Sequence, residues 1–149
     1  MDNKKTKLFN WLRLHSLRGG VIGKISRVLY KFYSEQVLGC DIPYNTKIGS
    51  NFTIFHGAHG SVVNPYAIFG NDVTLRQNTT IGSKSFTTND DDKAPIIEDR
   101  VQIGPNVCII GNIIIGHDSL VGAGAVVVND VPPYSVVVGN PGRVVETLI

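Results

Sequence analysis

Residues 97–127, written in sixes, read IEDRVQ IGPNVC IIGNII IGHDSL VGAGAV V. Each block opens on an aliphatic residue: Ile97, Ile103, Ile109, Ile115, Val121 and Val127. Glycine often follows, at Gly104, Gly116 and Gly122, and the residue four after the opening one is small or β-branched, as at Val101, Val107, Ser119 and Ala125. The same phase holds upstream in Val63, Phe69, Leu75 and Ile81, and earlier still in Ile42, Ile48 and Ile54. A period of six fits neither an amphipathic helix nor an alternating strand. It fits a coil with three flat faces, one hexad per face. The aliphatic residue points into a narrow core and the small residue fills the corner. Such coils stack at the usual strand spacing of ~4.8 Å, each burying its apolar face only against its neighbours. A β-sandwich would not keep a fixed six-residue phase, so the expected fold class is an all-β parallel β-helix.

The phase breaks twice. Between Ile54 and Val63 three residues are extra, within Phe55-His56-Gly57-Ala58-His59-Gly60. Between Ile81 and Ile97 ten are extra, in a polar loop from Ser83 to Ala94 that carries Asp90, Asp91 and Asp92. Loops projecting from a repeat scaffold are where function usually sits. Residues 3–34 read instead as one or two short helices broken at Gly19-Gly20, with apolar residues near helical spacing. The expected organisation is an N-terminal helical segment, residues 1–40, followed by a β-helix domain, residues 41–149. Pro132-Pro133 is expected to stop the coils, and Gly139-Asn140-Pro141-Gly142-Arg143 to turn the chain into a short tail.

With 42% hydrophobic and 17% charged residues, the 149-residue chain can bury a core and is not of disordered composition. The net charge of +2 hides an asymmetry. Residues 1–40 carry eight Lys and Arg against Asp2 and Glu35, a balance of +6; residues 41–149 carry six against ten acids, a balance of −4. The positive charge is one segment, so no nucleic-acid partner is expected for the main domain. Two cysteines, Cys40 and Cys108, make no disulfide framework and read as free thiols of a reducing compartment. No secretory signal and no apolar run of ~18 residues is seen, which predicts a cytoplasmic protein. The basic segment has two readings. It caps the end of the stack, or residues 1–34 make peripheral contact with the anionic inner face of the membrane.

From Asp41 to Val145 the chain resembles the serine acetyltransferase branch of the hexapeptide-repeat acyltransferases, which also holds many sugar and surface-polysaccharide O-acetyltransferases. The segments that carry the resemblance are Asp41-Ile-Pro with Lys47-Ile-Gly, the His56 loop, Leu75 to Gly82, Pro95 to Gly116, Val121-Gly-Ala-Gly-Ala-Val-Val, and Val131-Pro-Pro through Arg143. It implies a left-handed coil, a homotrimer and acetyl-CoA as co-substrate, with no metal. It also implies that His56 is the general base and Asp41 its orienting carboxylate, fifteen residues apart as in the family. Counted along the hexads, Asp41 and His56 come near the same corner one coil apart. His56 would take the proton of an acceptor hydroxyl, whose oxygen attacks the thioester directly, with backbone N–H groups around Gly82 and Ser83 facing the oxyanion. Positions matching the CoA groove are Gly82, Ser83, Gly104, Pro105, Gly122 and Ala123, with Arg143 toward the nucleotide end. Neither cysteine is placed as a nucleophile.

The chain departs from serine acetyltransferases at the acceptor. Where they carry an aspartate before the histidine and an Arg-His pair on the long loop, this sequence has Phe55, Lys93 and Ala94. The clamp for a free amino acid is weakened, since Lys is a poorer bidentate partner than Arg. Phe55, His59 and Lys93 are the expected acceptor-binding residues, and a sugar or glycan hydroxyl the expected acceptor. Serine acetylation and a catalytically silent scaffold are the competing readings. His117 is expected exposed at a turn, His15 structural, and the acidic run a solvated loop. The histidine spacing of zinc-binding hexapeptide proteins is absent.

Overall fold

The computed structural model describes residues 3–84 and 94–148. Two helices, α1 (Asn3–Ser16) and α2 (Gly20–Phe32), meet at Gly19-Gly20, and a π-helical turn, Tyr33–Val37, leads into the coils. The first coil is β1 (Lys47–Ile48), β2 (Thr53–Ile54) and β3 (Val62–Val63), the second β4 (Ile68–Phe69), β5 (Thr74–Leu75) and β6 (Thr80–Gly82). The third is β7 (Ile96–Ile97), β8 (Gln102–Ile103) and β9 (Cys108–Ile110), the fourth β10 (Ile114–Ile115), β11 (Leu120–Val121) and β12 (Val126–Val127). β13 (Ser135–Val138) and β14 (Arg143–Thr147) follow. Three sheets result, ordered β1-β4-β7-β10, β2-β5-β8-β11-β13-β14 and β3-β6-β9-β12. All pairings are parallel except β13 with β14, which makes the molecule a left-handed parallel β-helix carrying short N-terminal helices.

The hexad residues form the core. Leu75, Ile97, Ile109, Ile115 and Val121 are fully enclosed, and so are the corner-filling Val73, Thr79, Val101 and Ala125. Two corners turn through the left-handed region once per coil. One column runs Asn51, Asp72, Arg100, Asp118, Tyr134 and the other Gly60, Asn78, Asn106, Gly124, all at φ between 55° and 72°. Asn, Asp and Gly tolerate this backbone best. The side chains then bond up the stack: Asn51 donates to Asp72 at 3.0 Å and Asn78 to Asn106 at 3.1 Å.

The lowest coil leaves strand edges open, and α1 closes them. Phe9 and Leu12 are buried, the Phe9 ring packing against Phe52 and Tyr30. Asn10 donates to the Phe52 carbonyl at 3.0 Å, and Arg13 donates to the carbonyls of Thr46 and Ile48 at 3.1 and 3.0 Å. The terminal segment is therefore a cap. The outward sides of the helices remain apolar, with Trp11, Val21, Ile22, Ile25, Val28 and Phe32 all more than half exposed. No helix among the described residues is long and apolar enough to cross a membrane.

At the other end Pro132-Pro133 does not stop the coils. Val131 bridges Ile115, and β13 pairs in parallel with β11. The prolines fall in a corner, where no ladder N–H is needed. The turn at Gly139 to Arg143 reverses the chain, and β14 lies antiparallel on β13.

Candidate active site

The three extra residues after β2 make a tight projecting turn. His56, Gly57 and Ala58 lie successively at φ 56°, 80° and 53°. Left-handed backbone at two non-glycine residues costs about 1–3 kcal/mol each, and such strain collects at functional sites. The turn is pinned on all sides. The Ser61 N–H donates to the Ala58 carbonyl at 2.9 Å, Gly60 N–H to Gly39 at 2.7 Å, and Asn78 N–H to the His59 carbonyl at 2.7 Å. Ala58 is buried as the anchor, and the His56 side chain stands exposed.

Asp41 enters the third sheet at this same corner, one coil below. It bridges Val62, its N–H donating to Ser61 at 2.8 Å and its carbonyl accepting from Val63 at 2.9 Å. The carboxylate is exposed. Among the described residues no hydrogen bond or ion pair joins it to the His56 ring within the protomer. His59 occupies a slot made by missing side chains. A Cβ on Gly57 would come within 2.8 Å of its Nε2, and one on Gly39 would collide with its Nδ1. A cavity of about 330 Å3 lies beside Asp41, lined also by Glu35, Gly39, Cys40 and Gly60 to Val62. Cys40 is buried, its thiol pushed up by burial.

Phe55 links this corner to a second feature. Its ring is half-buried, with the Arg76 guanidinium 5.4 Å from its centroid. Because Ile54 registers with Leu75, the residues that follow them stack, and the column continues to Gly104 and Gly122 after Ile103 and Val121. A groove of about 210 Å3 runs along it, lined by Arg76, Gly104, Pro105, Gly122, Ala123 and neighbours in β5, β8 and β11. Both glycines are set by coil packing. A Cβ on Gly104 would lie 2.9 Å from the Ala123 nitrogen, and one on Gly122 2.8 Å from Val138 Cγ1. The result is a floor of bare backbone that a thin ligand can approach.

Four of the predicted CoA-contacting positions thus share one groove. Gly82 and Ser83 do not join them. Gly82 ends β6 in the third sheet, where its carbonyl accepts from Gly111 N–H at 2.9 Å. Arg143 opens β14, exposed, two strands away from β11. Ala94 is buried, and Lys93 with the acidic run lies outside the described residues. Arg76 is the groove residue that sequence reading missed. Its signal was available, since it holds the glycine place of its hexad, but the two phase breaks hide the column.

His117 is half-buried, not free at a turn. Its Nδ1 lies 2.7 Å from Asp118, whose carboxylate also accepts two 2.7 Å bonds from Arg100, and the ring packs edge-on against Tyr134. The hydrogen bonds from Arg100, then the bond from His117, hold the Asp118 carboxyl well below the usual carboxylate range. Arg100, Asp118 and Tyr134 sit in the corner column, so the cluster is a rung of the stack. Among the described residues no three His, Cys, Asp or Glu side chains gather as a metal site.

The stack of hexads has counterparts among known proteins. The family described as bacterial transferase hexapeptide (six repeats) matches residues 94–129. WcaB of Escherichia coli strain K12, provisionally named a colanic acid biosynthesis acetyltransferase, is 39% identical over 117 residues, 78% of this chain and 70% of WcaB. The serine acetyltransferase of Mycobacterium tuberculosis is 40% identical over 113 residues, 76% of this chain and 48% of its own length. The soybean serine acetyltransferase apoenzyme superposes with a TM-score of 0.80 at 34% identity, over 96% of this chain and 58% of that one. The chain belongs to the hexapeptide-repeat acetyltransferases, in the branch that holds the serine acetyltransferases and WcaB. It spans between 30% and 58% of the length of the serine acetyltransferases it matches.

Proposed function

We propose that the protein transfers an acetyl group from acetyl-CoA directly to a sugar or polysaccharide hydroxyl, with His56 as general base. The observation that carries this reading is continuity between base and groove. The strained turn presents His56 to solvent, and Phe55 beside it stacks on Arg76, which lines the glycine-floored groove. In the proposed step His56 accepts the acceptor's hydroxyl proton, and the oxygen bonds to the thioester carbon. The tetrahedral intermediate collapses by breaking the C–S bond, and the imidazolium returns the proton to the departing thiolate. Asp41 at the same corner would orient the ring. Gly82 ends β6, an inner strand of the third sheet, and Ser83 follows it. Backbone N–H groups around them would serve the oxyanion from a neighbouring subunit, which the proposed homotrimer supplies. Arg143 is kept as a contact for the nucleotide end.

The acceptor reading rests on Phe55, on Lys93, and on Ala94, which is buried and offers no polar group. His59, whose ring lies close to Gly39 and Gly57, would shape the acceptor pocket. The similarity to WcaB, named for colanic acid biosynthesis, supports a glycan. Free serine is the second reading, favoured by the serine acetyltransferase relatives. A cytoplasmic site of action is part of the same proposal, and an acetyl-CoA donor supports it.

The test follows release of the CoA thiol with L-serine and with a panel of sugars and short glycans, against His56→Ala. Release with a sugar, lost in the variant, is the expected result. His56-dependent release with L-serine would overturn the acceptor assignment.

A further inference from the structure

Helix α2 is amphipathic in the reverse sense. The residues it turns toward the protein are Gly23, Ser26 and Tyr30, while Val21, Ile22, Ile25, Val28, Leu29 and Phe32 are 50–71% exposed. Spaced at three, four and seven, these six form one stripe along the helix. α1 buries Phe9 and Leu12 together with Thr6, Arg13 and Ser16, and its far side adds Leu8, Trp11 and Leu14 to the exposed apolar surface. Single exposed apolar residues are ordinary, but a contiguous apolar face marks a contact surface.

The charge beside this face says what covers it. Lys24, Arg27 and Lys31 run along one flank of α2 at spacings of three and four, Arg27 also donating to the Ser16 carbonyl at 3.0 Å, and Lys4, Lys5, Lys7 and Arg18 are exposed on or just after α1. Between residues 3 and 37 the single acid is Glu35, 3.9 Å from Lys31. Two copies of so basic a surface repel one another. An anionic bilayer accommodates both features, taking aliphatic and aromatic side chains at the acyl boundary and Lys and Arg among the headgroups. At thirteen residues α2 is about 20 Å long, short of the ~30 Å hydrocarbon core, so it would lie in the interface plane. The balance of −4 over residues 41–149 turns the rest of the molecule away from the same surface.

We infer that the outward face of α1 and α2 docks on an anionic membrane surface. The inference stands apart from the acetyl-transfer reading, since binding is measured without a reaction.

Vesicles of phosphatidylcholine, with and without phosphatidylglycerol, are mixed with the full chain and sedimented. The protein is expected to co-sediment with the anionic vesicles only, and less so as salt is raised. Ile25→Glu with Val28→Glu abolishes binding, and Lys24→Ala weakens it about fivefold. These side chains lie outside the core, so the melting midpoint is expected to hold. Trp11 is the only tryptophan and 53% exposed on the outward side, and it reports without any substitution by moving its emission to shorter wavelength on anionic vesicles. Wild-type protein that stays in the supernatant with unchanged Trp11 emission overturns the inference. If in that case the Glu variants also shrink the assembly on sizing, a second copy covers the face.

Discussion

The Thr6 hydroxyl donates to the carbonyl of Ile54 at 3.1 Å and accepts from its N–H at 3.3 Å. One side chain thus stands in for the strand that the lowest coil lacks. Thr6→Val keeps the shape and removes both bonds, leaving a buried donor and acceptor unpaired. A loss of about 1–3 kcal/mol is expected, read as a lower midpoint in urea with an unchanged slope. An unchanged midpoint would mean that water serves that edge equally well.

Arg76 lies over Phe55 and lines the groove of Gly104 and Gly122. Arg76→Ala is expected to raise KM for acetyl-CoA roughly tenfold, the size of one charge-assisted hydrogen bond, with a smaller effect on kcat. Arg76→Lys should recover part of it. Steady-state kinetics with acetyl-CoA varied checks both, and equal KM values in all three proteins would detach Arg76 from the donor.

Asp118 accepts from Arg100 and His117, and those bonds hold its carboxyl low in the folded chain. A depressed carboxyl stabilises the fold fully above its ordinary value near ~3.9, and that contribution is lost as pH falls through the folded value. The melting midpoint of the wild type is therefore expected to drop between about pH 5 and pH 2, and more shallowly in Asp118→Asn. Parallel profiles would show that the rung carries no pH-dependent stability.

Burial pushes the thiols of both Cys40 and Cys108 up. Cys40 is also enclosed, its sulfur 3.5 Å from Ser34 Oγ. Since the thiolate is the reactive form, a disulfide reagent should label Cys40 only after denaturation, and Cys108 slowly in the native protein. Counting thiols released before and after adding denaturant tests this. Fast native labelling of Cys40 would mean that the corner beside Asp41 opens readily.

What could be read from the chain depended on how local the cause was. Each hexad places its own aliphatic residue inward, so Ile103 or Leu75 could be assigned to the core from the phase alone. The corner at Asn78 and Asn106 follows from residue type, but Arg100 and Tyr134 take the same backbone because the stack holds them there. Counting hexads put Asp41 and His56 at one corner. Arg76 escaped because its column crosses both insertions and becomes visible once strands are in register. The apolar stripe of α2 was readable as a helix face, but periodicity carries no sign. The direction of that stripe is set by Tyr30, whose hydroxyl donates to the Ile42 carbonyl at 2.6 Å and ties the polar side inward.

From β7 to β12 each strand meets its partner eighteen residues on, with nothing inserted. The caps at either end are unlike, α1 below and the reversed β14 above, and the turn before β14 meets this register only at its last coil, where Gly142 N–H donates to the Val126 carbonyl at 2.7 Å. The interior therefore behaves as a modular length of rod. A duplicated or deleted coil there would change the distance between the two caps by one strand spacing while leaving each cap its own neighbours. Families built this way can lengthen or shorten by whole turns without reinventing their ends.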